Sequence, residues 1–438
     1  MIFRTATKRS SALAMAFALA TGTMVTAVAV EAPATAQKKK KEKAPKADYS
    51  KDFMKAYGAA QELLKADAID EAAVRAAIPG IIAAVQTADD RNAAGSFLYS
   101  AGQKASDYEL QLDGLSMMLE SGKVEADRVG SFNNSAFQIS NVLDRQADAR
   151  KYLTAMADMN YSFEATLADG SKKTFSPDDI RLLIAESYVN EDDFAGALDY
   201  IERIIGERAA AGQAFPEDWV KRGFTIAYNN ELNQRTFDFS KLYVEHHPSD
   251  ASWGDAIAIV LNSRMFEEPE VLDILRLARR TGTFRESSMY LEYIDAADPR
   301  RLPGEVVALI DEGYAAGKLQ RTDSFVTESR AEAERRMAAD ERELPELAAD
   351  ARAPGASLID LVAAADTFLS YGKSAEAEEF YTKALTMSGV DTPRVLTRLG
   401  MAQLDQGKYA AAQESFGKVE GARKTIASLW AVYASQQM

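Results

Sequence analysis

The segment SLIDLVAAADTFLSYGKSAEAEEFYTKAL, residues 357–385, decides the fold of this chain. Apolar residues recur in it every three or four positions on both sides of Gly372, which is the spacing of one buried helical face. A second segment, residues 392–419, repeats the scheme 35 positions later around a matching Gly-Lys turn. It begins with Thr392 and Pro393, a capping residue and a proline at the first helical position. Each segment therefore predicts two helices joined by a glycine turn.

Small residues mark the point where the two helices of each hairpin cross. In each hairpin a small residue is followed by another twelve positions later and by an aromatic residue four positions after that: Ala365, Ala377 and Tyr381, then Gly400, Ala412 and Phe416. Small side chains let antiparallel helices approach closely, and the aromatic ring fills the wedge beyond the crossing. A hairpin this short buries its apolar face only when a neighbour stacks on it, so the fold requires repetition.

These motifs resemble those of the tetratricopeptide repeat family. The pattern L-x2-A-A-x2-F spans residues 361–368, and L-x2-L-G spans residues 396–400. The chain departs from the family at Gln403, where an aromatic residue is usual, and at Val419, where alanine is usual. The resemblance implies an all-α fold, an α-α superhelix (solenoid) of antiparallel helix-turn-helix repeats. At about 34 residues per hairpin, the chain has room for on the order of ten hairpins.

The same motif occurs upstream, with one departure. Ala185 and Ala197 are again twelve residues apart, and Gly223 stands four positions after Trp219, much as in the opening motif of the family. Arg235, however, occupies the place of the second small residue. A long charged side chain there predicts a hairpin that is splayed or shifted in register.

The chain is predicted to divide into five parts. They are a signal peptide over 1–36, a basic flexible linker over 37–48, a helical repeat array over 49–325, a charged connector helix over 326–355, and two repeats with a capping helix over 356–438. Residues 165–174 around Gly170 suggest a strand-like hairpin within the array. The connector is charged on almost all sides and contains Pro345, which predicts an exposed helix broken near that proline.

The composition excludes several classes of protein. The formal net charge is −15, so nucleic acid is not expected as a partner, because phosphate groups require a basic surface. The sequence has no cysteine, which excludes disulfides, thiolate nucleophiles and thiolate metal sites. Phosphate-binding loop motifs are also absent from the sequence, and no cofactor is expected.

The first 36 residues predict export. Basic residues precede an alanine-rich apolar stretch, residues 12–30, and Ala34-Thr35-Ala36 forms a small-x-small cleavage site. Threonine and glycine make the apolar stretch too weak for a stable membrane-spanning helix. We therefore expect a periplasmic chain cleaved after Ala36, with retention of the segment as an anchor as the alternative. The tail from Lys38 to Lys46 is expected to be a solvated linker, or else to touch an anionic envelope surface weakly.

Motifs that carry chemistry are scarce. His246 and His247 are adjacent and point to different sides of a helix, so we expect a helix end before Pro248 and no metal site. A nucleophile motif such as G-x-S-x-G is missing, and a non-enzymatic protein without catalytic residues is predicted. The alternative is a cell-wall protein that binds peptidoglycan glycans or resembles lytic transglycosylases, which use a glutamate in a Glu-Ser pair such as Glu186-Ser187. The aromatic and glycine-rich signature of that family does not follow this pair.

The resemblance also indicates where a partner would bind. In the tetratricopeptide family the first helix of each hairpin lines a concave groove, which in this chain would hold Glu186, Val189, Asn190, Phe224, Tyr228, Met401 and Leu404. Phe224 and Tyr228 equally suit the core between repeats. The set lacks the lysine and asparagine pairs by which some family members bind a C-terminal carboxylate, so that mode is not expected. The predicted function is a scaffold for a protein or peptide partner within an envelope assembly.

Overall fold

The computed structural model describes residues 47–65, 69–167, 169–263, 266–284 and 286–438. The predicted signal peptide and most of the predicted linker lie outside the described residues. Apart from one short strand hairpin, the described elements are helices, which confirms the predicted all-α fold. No helix in the described ranges is long and apolar enough to span a bilayer.

Two compact units make up the chain, one ending at Ala214 and the other running from Phe215 to Met438. The first contains α1 (Lys51–Gln61), a 3₁₀ turn (Glu62–Leu64), α2 (Glu71–Ala83), α3 (Ala88–Ala105), α4 (Tyr108–Ser121), α5 (Ala126–Val142), α6 (Gln146–Asp158), β1 (Phe163–Thr166), β2 (Lys172–Phe175), α7 (Pro177–Val189) and α8 (Phe194–Ala210). The boundary at Ala214 falls inside the predicted array of residues 49–325, whose division into repeats stays a prediction.

The second unit contains twelve helices among its described residues. They are α9 (Glu217–Asn229), α10 (Asn233–His246), α11 (Asp250–Asn262), α12 (Glu268–Arg280), α13 (Ser287–Ala297), α14 (Pro303–Ala315), α15 (Ser324–Arg352), α16 (Leu358–Ser370), α17 (Ser374–Ala384), α18 (Thr392–Asp405), α19 (Tyr409–Gly417) and α20 (Lys424–Gln436), with a 3₁₀ turn at Gly421–Arg423 before α20. One continuous hydrophobic core runs through this unit.

The strand hairpin lies where the sequence suggests one. Strands β1 and β2 pair antiparallel, with Phe163 opposite Phe175. The two rings are buried and stack with centroids 5.0 Å apart. Gly170 in the connection has φ of +82°, a left-handed conformation that side chains other than glycine rarely adopt. The stacked pair anchors the hairpin to the core of the first unit.

Side chains cap the first helices of the last two hairpins, at α18 one residue earlier than the sequence predicts. Ser357 caps α16 in a capping box with Asp360. At α18 the cap is Asp391, one residue before the predicted Thr392, and its carboxylate accepts a hydrogen bond of 3.2 Å from the main-chain N–H of Arg394. Pro393 lies in the first turn, where its missing N–H costs nothing.

Helix α15 corrects the prediction for the connector. It runs unbroken through Pro345, and it is not exposed all round. An apolar stripe is buried along it: Val326, Ala333, Leu344, Ala348 and Ala351. The stripe packs into the core of the second unit on both sides of the proline. This packing outweighs the helix-breaking preference of Pro345.

Helix α20 does more than cap the last hairpin. It packs on α19, as a cap would, and also on α10 and α12 near the start of the same unit. The Gln436 side chain donates a hydrogen bond of 2.7 Å to the main-chain carbonyl of Val244. The rings of Trp253 and Tyr433 meet edge to face at 6.0 Å. The end of the second unit is therefore joined to its beginning.

A buried network of charges joins α12, α14, α16 and α18. The fully buried Asp273 accepts hydrogen bonds from Arg276 at 3.2 Å and Arg398 at 3.3 Å, and it also pairs with Arg423. Arg276 further donates two bonds, of 2.8 and 2.7 Å, to Glu305. Burial opposes ionisation of Glu305, but the charge and hydrogen bonds of Arg276 outweigh it and lower the pKa of the carboxyl group.

Candidate interaction grooves

The residues predicted to pack between the helices of each hairpin are all buried. They are Ala185, Ala197, Gly223, Ala365, Ala377, Tyr381, Gly400, Ala412 and Phe416. The helices of the last hairpin approach each other closely at Gly400, as the sequence predicts. A Cβ atom built on this glycine would lie 2.5 Å from the Phe416 ring. The aromatic residue four positions after the second small residue thus fills the space over the glycine.

The hairpin of α9 and α10 closes despite Arg235. A Cβ atom at Gly223 would clash with the ring of Phe239, which is fully buried. Phe239 follows Gly223 by sixteen positions, the same separation as Phe416 from Gly400. The prediction of a splayed or shifted hairpin is wrong, since the aromatic residue keeps its place while Arg235 is accommodated half-buried.

The first helices of the last two hairpins, α16 and α18, flank a groove of about 460 Å³. We call this the α16–α18 groove; it is lined by Arg301, Leu302, Leu358, Ile359, Val362, Ala363, Asp366, Thr367, Gly389, Asp391, Arg394 and Val395. Its apolar wall is formed mainly by Leu358, Ile359 and Val362. Ile359 is 79% exposed, the highest value among the large apolar side chains of the described residues. A side chain this exposed adds nothing to the core.

Two arginines lie in the α16–α18 groove. The guanidinium of Arg394 pairs with Asp366 at 2.6 Å, while its Nε is buried and has no hydrogen-bond partner among the described residues. Arg301 is exposed and makes no side-chain ion pair within the part of the chain that the structure describes. Burial opposes ionisation of Asp366, but the charges of Arg398 and Arg394 hold the pKa of its carboxyl group far below the usual range. The groove therefore combines an apolar wall with cationic side chains.

A smaller groove lies between α9 and α11 and contains one of the predicted residues. It encloses about 200 Å³ and is lined by Phe224, Lys221 and Ile259 among others. The rings of Phe224 and Tyr228 stack at 6.0 Å, and Tyr228 is 48% exposed. The sequence allows either a groove or the core between repeats for these two aromatic residues. Phe224 is half-buried at the groove, and Tyr228 is on the surface.

The polar edge of this smaller groove is an ordered triad. Lys221 pairs with Glu217 at 2.8 Å, and the hydroxyl of Tyr243 donates a hydrogen bond of 2.5 Å to the same carboxylate. These hydrogen bonds, first that of Lys221 and then that of Tyr243, lower the pKa of Glu217. The triad fixes one side of the groove but leaves little unpaired charge for a partner.

The predicted groove residues on α7 lie in the first unit, apart from the other four. Glu186 and Val189 are half-buried, and Asn190 is exposed just beyond the helix end. The Asn190 side chain donates a long hydrogen bond of 3.4 Å to Gln146. Ser187, which forms the Glu-Ser pair with Glu186, is buried, and its hydroxyl donates to the carbonyl of Ile184 at 2.6 Å. This serine is therefore a packing residue within the helix.

Met401 and Leu404 occupy the core and not the groove. Met401 is 2% exposed and Leu404 is 6% exposed, and both belong to the hydrophobic core of the second unit. The repeat pattern places both residues on the first helix of a hairpin, α18. The face of α18 that carries them is covered, because the second unit closes on itself. The groove residues of α18 are instead Arg394 and Val395, near its beginning.

The two histidines end a helix, as the sequence predicts. Helix α10 ends at His246, and both imidazole rings pack edge to face on Phe215, at 4.8 and 5.3 Å. Desolvation lowers the pKa of His247. Among the described residues, no cluster of three or more histidine, aspartate and glutamate side chains is placed to hold a metal ion.

The sequence interpretation missed the residues that form the α16–α18 groove. Val362 belongs to the face of α16 that the sequence predicts to be buried, and Ile359 lies outside that face and is assigned no role by the sequence. The available signal is the run itself: Leu358 to Val362 contains four apolar residues in five positions, more than one helical face can bury. Ile359 and Leu361 lie about 200° apart around the helix axis, so burial of Leu361 exposes Ile359.

Comparison with known proteins identifies the repeat. Residues 393–425 match the family model of the tetratricopeptide repeat. No curated protein matches the sequence at a significant level.

Similar solved structures share little sequence with the chain. A structure of Naa15/Naa10 bound to HypK-THB has 12% identity and a TM-score of 0.29, covering 83% of this chain and 56% of that one. The TPR domain of P58(IPK) has 11% identity and a TM-score of 0.22, with 88% and 98% covered. The APC/C hetero-tetramer Cut9-Hcn1 has 13% identity and a TM-score of 0.20, with 80% and 68% covered. The chain thus spans little more than half of the first of these.

The family assignment rests on the match at 393–425 and on the hairpins themselves. The matched segment contains α18 and α19, which cross at Gly400 under the ring of Phe416. The preceding pair, α16 and α17, has the same order of small and aromatic residues, all buried. Residues 393–425 are thus a tetratricopeptide repeat, set among helical hairpins of the same kind.

Proposed function

We propose that this protein is a non-enzymatic scaffold that binds a partner protein through the α16–α18 groove. The ligand is an extended segment of the partner with an aliphatic side chain next to an acidic one. The aliphatic side chain packs against Leu358, Ile359 and Val362, and the acidic group pairs with Arg301 and Arg394.

The observation that carries this proposal is the exposure of Ile359, 79%, in a groove that also holds a guanidinium group without an ion pair, that of Arg301. An exposed apolar residue gains free energy when a partner covers it, about 25 cal/mol per Å² of apolar surface buried. A guanidinium that lacks an ion pair in the free protein loses no internal contact when it binds a carboxylate. Ile359 on α16 and Arg301, in the loop before α14, line the same groove.

We further propose that the scaffold works in the periplasm, after cleavage at Ala36. Support comes from the sequence of residues 1–36, with its basic start, apolar stretch and small-x-small cleavage site. An assembly of the cell envelope is then the setting in which the partner is met.

Binding is tested by quantitative co-purification from the native envelope with three tagged full-length chains. These are the wild type, Ile359→Asp, and Thr382→Asp as a matched control. Thr382 is exposed on α17, the second helix of the same hairpin, so the control adds the same charge outside the groove. We expect one protein to be recovered with the wild type and the control and to be depleted about tenfold or more with Ile359→Asp. Equal recovery with all three chains would refute the groove as the binding surface.

Export is tested separately by the mass of the mature protein. A chain recovered from the periplasmic fraction with Gln37 as its first residue would agree with the proposal. A full-length chain in the cytoplasmic or membrane fraction would contradict it.

A further inference from the structure

A second cavity, of about 370 Å³, lies inside the second unit and shares no lining residue with the α16–α18 groove. It lies where α12, α14, α16, α18 and α20 meet, and it is lined by Arg276, Arg279, Arg280, Tyr293, Gly304, Glu305, Ala308, Leu369, Ser370, Tyr371, Gly372, Met401, Asp405 and Trp430. Helix α20, which packs on α12, contributes Trp430 to the lining. Its size is in the range of pockets that accept small organic molecules, about 300–1,000 Å³.

One wall of this cavity is apolar. Trp430 and Met401 are almost completely buried, and Leu369 is half-buried at the end of α16. The indole ring of Trp430 is held in place by stacking on Phe416, with centroids 5.8 Å apart. A rigid aromatic surface of this kind binds the apolar body of a small molecule.

Three arginines of α12 also line the cavity, Arg276 and, one turn later, the adjacent Arg279 and Arg280. Arg276 is the least available of the three, because its guanidinium is buried and each of its nitrogens already donates to Glu305 or Asp273. Arg279 differs, since within the described part of the chain its side chain makes a single bond, from Nε to Glu312 at 2.7 Å. Both terminal nitrogens of Arg279 therefore keep their N–H groups for an acceptor in the cavity.

Arg280 adds further donors beside Arg279. It pairs with Asp405 through one terminal nitrogen, and its remaining N–H groups have no acceptor among the residues that the structure describes. Ser370 contributes a buried hydroxyl that has no hydrogen-bond partner among the described residues. A buried polar group without a partner is costly, and a ligand oxygen would satisfy it.

The hydrogen-bond donors of the lining decide the class of ligand. The lining holds three arginines and two carboxylates, Glu305 and Asp405, while Glu312 pairs with Arg279 from outside the lining. The N–H groups of Arg279 and Arg280 that these ion pairs do not use, together with the Ser370 hydroxyl, suit a group with several acceptor oxygens. A carboxylate with an apolar body matches these donors and the neighbouring Trp430 and Met401.

We propose that this cavity binds a small amphipathic carboxylate, with its carboxyl group on Arg279 and Arg280 and its apolar body against Trp430 and Met401. Because the ligand contacts α12 and α20 together, its binding stabilises the closed form of the second unit. The site is independent of the groove proposed for the partner protein.

Calorimetric titration of the purified chain from Gln37 to Met438 tests the proposal. Two probes are used, indole-3-propionate and its uncharged primary amide. We expect saturable binding of the carboxylate and at least tenfold weaker binding of the amide, because the charged hydrogen bonds to Arg279 are lost. Arg279→Gln should weaken the carboxylate about tenfold or more. Ala308→Trp should abolish its binding, since Ala308 is an exposed residue at the lining and a large ring there fills the space.

Arg352→Gln is the matched control, because Arg352, like Arg279, is an arginine paired with a glutamate, here Glu379, and it does not line the cavity. Its affinity for the carboxylate should equal that of the wild type. Thermal unfolding checks that each variant is folded. Absence of saturable carboxylate binding, equal affinity for the amide, or wild-type affinity in folded Arg279→Gln and Ala308→Trp would each overturn the proposal.

Discussion

The indole Nε1 of Trp430 donates a hydrogen bond of 3.0 Å to the main-chain carbonyl of Asp273, 157 residues earlier in the chain. The side chain of the same aspartate is the acceptor for Arg276, Arg398 and Arg423. One buried residue of α12 thus holds elements from the middle and the end of the second unit. An open stack of repeats has no such contact, because each repeat touches only its neighbours.

Asp273→Asn should destabilise the second unit by about 3–5 kcal/mol, because it removes the one carboxylate that three buried guanidinium groups share. Urea unfolding followed by circular dichroism measures the change. Asp295→Asn serves as the control, since Asp295 is exposed on α13, and its effect should stay within about 0.5 kcal/mol. A loss no larger than that of the control would mean that the network does not hold the unit together.

Gly400→Ala should cost about 1–3 kcal/mol, because the new methyl group would lie 2.5 Å from the ring of Phe416, which is itself stacked on Trp430. Gly417→Ala, at the end of α19, has no atom within 4 Å of the new Cβ and should be neutral or slightly stabilising. The difference between the two melting temperatures is the readout. Equal stability would show that the helices do not cross closely at Gly400.

Pro345→Ala should stabilise the protein, by about 1–3 kcal/mol, because α15 is continuous at this position and the proline withholds a helical N–H there. Thermal unfolding of the full chain tests this expectation. If the helix were broken at Pro345, alanine would relieve nothing, and the melting temperature would stay the same or fall.

Acid should weaken the second unit. The pKa values of Glu305 and Asp366 are lowered in the folded protein, so their ionised forms contribute stability above their unfolded values of about 4. That contribution is lost as the pH falls from about 5 through the lower folded values. Asp366→Asn should be less stable than the wild type at pH 7, and the gap should narrow towards pH 2.5. A constant gap across this range would contradict the charge assignment.

The hairpins could be predicted because their packing is local. Gly400 and Phe416 are sixteen residues apart, and their contact follows from a single motif that the sequence displays. The same holds for Gly223 and Phe239, although Arg235 obscured the second part of that motif. Contacts within one hairpin are fixed by helical periodicity and a short turn, both of which are visible in the sequence.

The closure of the second unit could not be predicted in the same way. The residues that form it, Asp273, Arg398 and Arg423, are charged and lie far apart in the chain, and nothing in their local sequence marks them as buried. The buried stripe of α15 could not be predicted for a related reason. Its apolar residues are mostly alanines, and charged residues surround them in the sequence. Met401 and Leu404 were predicted to line a groove, because an open solenoid leaves that face of α18 exposed. In this protein the closure of the second unit covers the face.

A close glycine contact in the first unit also escaped detection. A Cβ atom built on Gly95 of α3 would lie 2.6 Å from the main-chain carbonyl oxygen of Gly114 on α4. These two glycines are nineteen residues apart, whereas the two small residues of the predicted hairpin motif are twelve residues apart. The crossing point of this hairpin is therefore shifted along its helices.

Hydrogen exchange of residues 268–280 in full-length Trp430→Phe tests most directly whether the second unit is closed. Phenylalanine keeps the ring against Phe416 but lacks the N–H that binds the Asp273 carbonyl. Closure predicts faster exchange than in the wild type in two segments. They are α12, residues 268–280, and the last hairpin together with α20, residues 392–438. Faster exchange confined to residues 392–438, with α12 unchanged, would contradict closure and return α20 to the role of a simple cap.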